Sequence, residues 1–292
     1  MIVVDNASVD QTVALARSVS RVRVIVNSKN LGFAAAVNQG VRSTSTRYVL
    51  LLNPDVEVTT SLDPLIDACD RSGLATGRLS DERTGAPQQG FNLRRFPTPM
   101  ALIFEILGMN RLWPSNPVNQ YFRYIDRDPN AGGEVDQPAG AFLITRRDVF
   151  EKLDGFDEGF YPIWFEDVDY CRRAANAGFR ATYVPEVVGR HQGGHSIFSL
   201  DPASRVVYWY VSLLRYAAKH FGGLGYRGVT AAVILGSIPR MIVGMVSGRE
   251  ARGLRQLAAY WKIVRFSTMC FVSKKWCLNS ISRSPRPGDP DT

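Results

Sequence analysis

Three short apolar runs, Ile2-Val3-Val4, Val22 to Val26 and Tyr48 to Leu52, alternate with stretches that read as helices. Ser8 or Asp10 is placed to cap a helix running through Val13, Leu15 and Ala16. Asn30-Leu31-Gly32-Phe33 turns into a small-residue helix from Ala34 to Gly40, and a further helix is predicted from about Leu62 to Asp70. Strands and helices alternating at this spacing predict an α/β chain built on a mostly parallel, doubly wound sheet. Ligands of such sheets bind beyond the carboxyl ends of the strands. Asp5 ends the first strand, and Asp55 lies in the Asn53-Pro54-Asp55 break after the third. Two carboxylates at neighbouring strand ends suit a sugar nucleotide and its metal.

The stretch from Ala139 to Cys171 holds the most unusual chemistry. It reads as a strand over Ala141 to Ile144, a helix starting near Arg147, a turn rich in Gly and Asp, and then Ile163-Trp164-Phe165 followed by Glu166, Asp167 and Asp169. A carboxylate beside apolar side chains is disfavoured in its ionised form, so its pKa rises toward that of a general base. Acids in the first turn of a helix are also what the helix dipole favours, so the segment alone leaves both readings open. A helix then continues over Arg172 to Ala177 with Gly178 as its C-terminal cap. Ala181 to Val184 is a strand, followed by Val187-Val188 and the loop Arg190 to Ser196. Two of the three histidines, His191 and His195, fall in that Gly-rich loop and are candidates for binding metal or phosphate. Between these parts, Gly73 to Asp136 reads as a long excursion with one short helix near Met100 to Met109, forming a wall of the site.

The 292 residues suit one large domain or a domain with an appendage. The net charge of +8 is unevenly placed: Ala203 to Trp276 holds twelve Lys or Arg and a single acid, Glu250. A basic stretch of this kind suits polyanions, either nucleic acid or anionic membrane headgroups. The four cysteines form no CxxC pair, so reduced thiols in a cytosolic setting are the simplest reading.

With those residues assembled, the chain resembles the family 2 glycosyltransferases of the GT-A fold, in particular a bacterial rhamnosyltransferase-like branch. The matching stretches are VVDNAS (Val3 to Ser8), NLGFAAAVNQG (Asn30 to Gly40), LLLNPDV (Leu50 to Val56), Gly140 to Phe179, and HQGGHS (His191 to Ser196), in the family's order. The resemblance implies an inverting transfer of sugar from a nucleotide-sugar donor. Asp5 and Asn6 would contact the nucleotide, with Asn30 and Gly32 lining its pocket. Asp55 would be the last residue of a metal-binding DxD whose first Asp is here Asn53. Mg or Mn would be held by Asp55, the donor diphosphate, water and His191. Asp167 would be the catalytic base, with Glu166 the next candidate, and Gly140, Ala141 and Trp164 would face the acceptor. Glu166 and Asp169 otherwise read as a helix-start acid and a surface acid. Members usually begin with another strand and helix carrying a Thr-Tyr-Asn-like turn against the nucleotide. The match here starts after that unit, so part of the donor pocket is expected to be lacking.

These readings divide the chain into a GT-A domain over residues 1–200, a basic amphipathic helical region over 201–278 and a disordered tail over 279–292. In the second region, Val206, Trp209, Tyr210, Leu213, Leu214, Ala217 and Phe221 recur at helical spacing. The apolar run from Val229 to Val246 carries Pro239-Arg240 near its middle and is a poor spanning helix. Either an in-plane membrane helix pair or a helical cap over the catalytic domain fits. The expected protein is cytoplasmic and peripheral on the inner face of the membrane. It would move rhamnose from dTDP-rhamnose to a glycan or polyprenyl-diphosphate-linked acceptor. The rivals are a catalytically impaired family member that binds sugar or partner, and a nucleic-acid-binding protein. No reading helix or RNA-binding sheet motif supports the latter, and no GxGxxG supports a dinucleotide enzyme.

Overall fold

A computed structural model describes residues 1–193, 201–247 and 250–282. The first half alternates as β1 (Ile2–Asp5), α1 (Thr12–Ser18), β2 (Arg23–Val26), α2 (Phe33–Arg42), β3 (Tyr48–Leu52), β4 (Val56–Val58), α3 (Asp63–Ser72) and β5 (Leu74–Asp81). Next come β6 (Leu93–Arg94), α4 (Pro99–Ile106), α5 (Met109–Leu112), α6 (Pro117–Phe122), β7 (Gly133–Val135) and β8 (Gln137–Pro138). The chain continues with β9 (Phe142–Arg146), α7 (Arg147–Lys152), α8 (Glu166–Asn176) and β10 (Ala181–His191). It ends in four helices: α9 (Pro202–His220), α10 (Gly223–Ser247), α11 (Glu250–Val272) and α12 (Lys274–Ser282).

The alternation predicted for the N-terminal part is present, but the pairing is mixed rather than mostly parallel. A six-stranded sheet runs β3-β9-β5-β10-β4, with β7 on β10; among its pairs β5 and β10 are parallel, whereas β9 is antiparallel to both β3 and β5. β1 and β2 pair with each other in parallel as a separate sheet. Asp5 and Asp55 therefore do not end neighbouring strands: β3 takes β9 as its partner, and β1 takes β2. The helix after β1 also differs in detail. Its N-cap is Gln11, without a side-chain bond, while Asp10 holds the Thr12 amide at 3.0 Å.

The excursion after residue 73 holds more structure than its composition predicts. β5 lies in the sheet centre although LATGRLSD has neither alternation nor β-branched bulk. Gly77 is required there, because a Cβ would lie 2.4 Å from the Val187 carbonyl oxygen and 2.5 Å from Phe142 Cε1. β10, expected as two short pieces, is one strand whose register shifts between Val184 and Val188.

The C-terminal helices do not stand apart. Tyr210, Leu213 and Tyr216 of α9, Val229 and Val233 of α10, and Ile263 of α11 share one core with Leu102 and Ile106 of α4 and with Phe160 and Val168. Helix α12 reaches Ser282, so it takes up the start of the stretch expected to be disordered; residues 283–292 lie outside the described residues. Among the described residues no helix is long and apolar enough to cross a membrane, in keeping with the interruption at Pro239 inside α10.

Candidate active site

Three groups of side chains assemble where the sheets end. The first surrounds Asn6, just beyond β1. Its Nδ2 donates to Asn30 Oδ1 and to the Gly32 carbonyl, both at 3.1 Å, and its Oδ1 accepts from the Leu31 amide and from Asn27 Nδ2, both at 3.1 Å. Gly32 has φ +87°, and a Cβ there would sit 2.9 Å from Tyr161 Cδ2. The neighbouring Phe33 amide donates to the Pro162 carbonyl at 2.8 Å. The loop Asn30 to Gly32 is thereby fixed against the chain leading to the acids. Asp5 is buried; Oδ2 accepts from the Ser8 amide at 3.2 Å, and among the described residues Oδ1 has no partner. A buried carboxylate oxygen without a donor is costly unless something else supplies one.

The second group centres on the turn after β3. The Asn53 carbonyl accepts from the Val56 amide at 3.1 Å, and the Asn53 amide donates to Ala141 O at 3.0 Å. Asp55 Oδ2 faces His191 Nε2 at 3.4 Å. Gln88, which the sequence did not single out, sets the tautomer of that histidine. Its Nε2 donates to the His191 carbonyl at 3.1 Å, leaving Oε1 to take the proton of Nδ1 at 2.8 Å. In the neutral ring the lone pair then lies on Nε2, beside the Asp55 carboxylate, and Phe91 stacks on the ring at 5.0 Å. A hard oxygen and a neutral imidazole with its second nitrogen tied back are what a divalent cation takes from protein. Among the described residues no cluster of three or more His, Cys, Asp or Glu could hold a metal. The Asp55–His191 pair fits one only together with oxygens from a substrate. His195 lies outside the described residues.

The third group is the acidic cluster. Trp164 and Phe165 both have positive φ, 81° and 69°, immediately before α8. Phe165 is held by Trp209 and Tyr216 of α9, at ring distances of 6.4 and 5.5 Å. The two acids after this turn part ways. Glu166 is buried, with Oε2 unpartnered among the described residues, and burial, with Asp167 adding, holds its carboxyl well above the usual range. Asp167 is half-buried; its Oδ2 accepts from the Gly140 amide at 2.9 Å and Oδ1 from the Val168 amide at 2.8 Å. Burial raises the Asp167 carboxyl above the ordinary aspartate value, although those amides and the charge of Arg94 pull the other way. Gly140 and Ala141 serve through their backbones, one holding Asp167 and the other Asn53. Trp164 is half-buried.

Asp169 is not a surface acid. It is fully buried, with Oδ1 2.8 Å from His220 Nε2 and 2.7 Å from Lys219 Nζ, and Oδ2 2.7 Å from Arg173 Nε. Lys219 also reaches Asp157 at 2.6 Å, which Arg215 meets at 2.9 Å. Charges on α9 thus tie the acidic segment to the C-terminal helices. No spacing in the sequence marks these pairs, because their partners are some fifty to sixty positions apart.

Comparison with known proteins decides the family. A sequence model described as glycosyl transferase family 2 matches residues 1–154, more than half of the chain. The chain belongs to glycosyl transferase family 2. A second model, glycosyltransferase like family 2, matches residues 120–205, so the two together take in all three groups. Relatives include the N-acetylglucosaminyl-diphospho-decaprenol L-rhamnosyltransferase of Mycobacterium tuberculosis, 29% identical over 239 residues and 76% of each chain. Rhamnosyltransferase WbbL of Escherichia coli is 29% identical over 189 residues, 63% of this chain and 67% of that one. Among solved structures, GalNAc-T7 with UDP, GalNAc and Mn2+ superposes with a TM-score of 0.51 over 98% of this chain at 14% identity. This family 2 chain spans about half, 51%, of that structure, and the likeness is one of fold. The fold is GT-A, and the protein is a glycosyltransferase.

Proposed function

We propose that this glycosyltransferase moves rhamnose from dTDP-rhamnose, with inversion, to a polyprenyl-diphosphate-linked glycan in cell-surface polysaccharide assembly. The observation that carries the mechanism is the division of labour between Glu166 and Asp167. One carboxyl is sealed in the protein. Its neighbour is half-buried, held in one orientation by two amides, and raised in pKa by burial. A general base must reach its substrate and must not be too weak, and only Asp167 of the pair has both properties.

In this reading the acceptor hydroxyl gives its proton to Asp167 as its oxygen attacks the anomeric carbon from the face opposite the diphosphate. One base and one displacement give inversion. The buried Oδ1 of Asp5 takes a donor from the base of the nucleotide, and the Asn6–Asn30–Gly32 network shapes the pocket beside it. Asp55 and His191 would hold Mg or Mn, which supplies neutralisation of the charge growing on the leaving diphosphate. The rhamnose and lipid-linked acceptor readings are drawn from the names of the two rhamnosyltransferase relatives. The basic C-terminal helices add a route to the membrane: Leu235, Ile238 and Ile242 of α10 and Leu254 and Trp261 of α11 are exposed, among exposed basic residues such as Arg255, Lys262 and Arg265.

The test is donor turnover. Protein given dTDP- and UDP-sugars with Mg or Mn should release nucleoside diphosphate fastest from dTDP-rhamnose and, with a prenyl-diphosphate-linked glycan present, form a product of inverted anomeric configuration. Release from another sugar nucleotide in preference would replace the rhamnose assignment, and retained configuration would remove the single-displacement mechanism.

A further inference from the structure

Arg94, Arg95, Arg123 and Arg127 come from one stretch of chain, and three of them are engaged. Arg95 meets Asp126 at 2.7 Å, Arg123 meets Glu105 at 3.2 Å, and Arg127 donates to the carbonyls of Ala131, Gly132 and Glu134. Arg94 differs. Its Nε donates to Gly90 O at 2.6 Å and its guanidinium lies 5.9 Å from the Phe122 ring centre, but among the described residues neither Nη has a partner and no carboxylate pairs with it.

Its position is not incidental. In the β6–β8 ladder Arg94 stands opposite Gln137, and β8 leads through Ala139 to Gly140, whose amide holds Asp167. Arg94 and Asp167 act on each other electrostatically without forming a pair. Burial, and then the like charge of Arg123, pulls its pKa down. The guanidinium is half-buried, and its two donor nitrogens left without a protein partner match the oxygens of a phosphate. The Phe122 ring that carries it also lines an apolar groove with Phe96, Met100, Val118 and Tyr121, of about 260 Å³. One wall of the groove is α4, which packs into the C-terminal helices through Leu102 and Ile106.

We propose that this corner seats a prenyl diphosphate: Arg94 takes the diphosphate, and the groove takes the first isoprene units of the lipid that carries the acceptor sugar. The assignment rests on the transferase reading above and gives its acceptor a place, beside the base and next to the helices that face the membrane.

Titration with geranylgeranyl diphosphate, and separately with dTDP and Mg2+, tests it on wild type, Arg94→Gln, Arg94→Lys and Met100→Glu. Met100 is half exposed, so its change spares the core. The expected result is prenyl diphosphate binding weakened tenfold or more by Arg94→Gln and severalfold by Met100→Glu, partly restored by Arg94→Lys, with dTDP binding like wild type throughout. Weakened dTDP binding with prenyl diphosphate unaffected would give Arg94 to the donor and overturn the proposal, as would prenyl diphosphate binding indifferent to every variant. If Arg94→Gln fails to fold by its melting profile, Arg94→Lys and Met100→Glu decide alone. Wild type that neither binds dTDP nor releases nucleotide would count against the transferase reading, while the prenyl diphosphate comparison would still judge Arg94.

Discussion

Asp169 and His220 stand 51 positions apart in the chain and meet at 2.8 Å inside the protein. Burial works against the Asp169 carboxylate, but the His220 hydrogen bond and the charges of Lys219 and Arg173 outweigh it and hold its pKa far below the ordinary value. Removing one partner from such a buried group strands the others. Asp169→Ala should cost about 3–5 kcal/mol, read by chemical denaturation. The pKa is depressed in the fold, so the stabilisation is present above the unfolded value near about 4 and is lost as pH falls toward the native one. Wild type should lose stability below that point more steeply than Asp169→Asn. Equal acid sensitivity in the two proteins would deny the ion cluster its role.

Asp167→Asn should cut transfer by about 10²- to 10⁴-fold with the fold retained by circular dichroism. Because the base works only when ionised, the rate in wild type should rise with pH through a limb set above the usual aspartate value. The stability effect has the opposite sign. A raised native pKa gives stability that is complete below the unfolded value and lost as pH rises through the native one. Asp167→Asn is free of that loss, although its single oxygen leaves one of the Gly140 and Val168 amides without an acceptor, so its stability should be lower but less dependent on pH than that of wild type. A variant that transfers sugar at the wild-type rate would show that Asp167 is a structural carboxylate instead.

Gln88→Leu removes the acceptor that fixes the His191 tautomer. Loss of such a support lowers metal affinity by about 10- to 100-fold. Titration of Mn2+ in the presence of nucleoside diphosphate, followed by the relaxation of water protons, should show a decrease in that range. An unchanged affinity would mean that His191 does not bind the ion.

Gly32→Ala tests the loop of the first group. Gly32 has φ 87° and ψ 161°, a region essentially reserved for glycine, so an alanine there costs about 1–3 kcal/mol, before its Cβ meets Tyr161. Since Asn6 holds the Gly32 carbonyl, the strain should also reach the nucleotide pocket. Both a lower melting temperature and weaker dTDP binding are expected, the latter by calorimetry; a loss of stability with binding untouched would place the pocket elsewhere.

Much of the candidate site was legible in the sequence because its residues are local signals. Asp5, Asp55 and the Glu166-Asp167 pair each follow an apolar run, and the strand from Tyr48 to Leu52 was readable to the residue. What could not be read was long-range. β5 carries no alternation because both its faces are buried, and its Gly77 answers to Val187 and Phe142. Gln88 and Arg94 sit in a stretch of Gly, Pro and polar residues whose order comes from pairing with β8 and β10, which sequence spacing does not encode. Asp169 reads as exposed because nothing near it in the chain announces His220. Whether a carboxylate is sealed or open depends on which helix later lies across it.

The positive φ angles of Trp164 and Phe165 have a consequence for the register of α8. A helix can normally creep by a residue at its start, and a one-residue slip turns every side chain by about 100° around the axis. Here such a slip would trade the sealed acid for the half-buried one. Two consecutive left-handed residues cannot be absorbed into a right-handed helix, so Glu166 stays its first residue. The strain before α8 works as a stop, and it fixes which of the two carboxylates is buried.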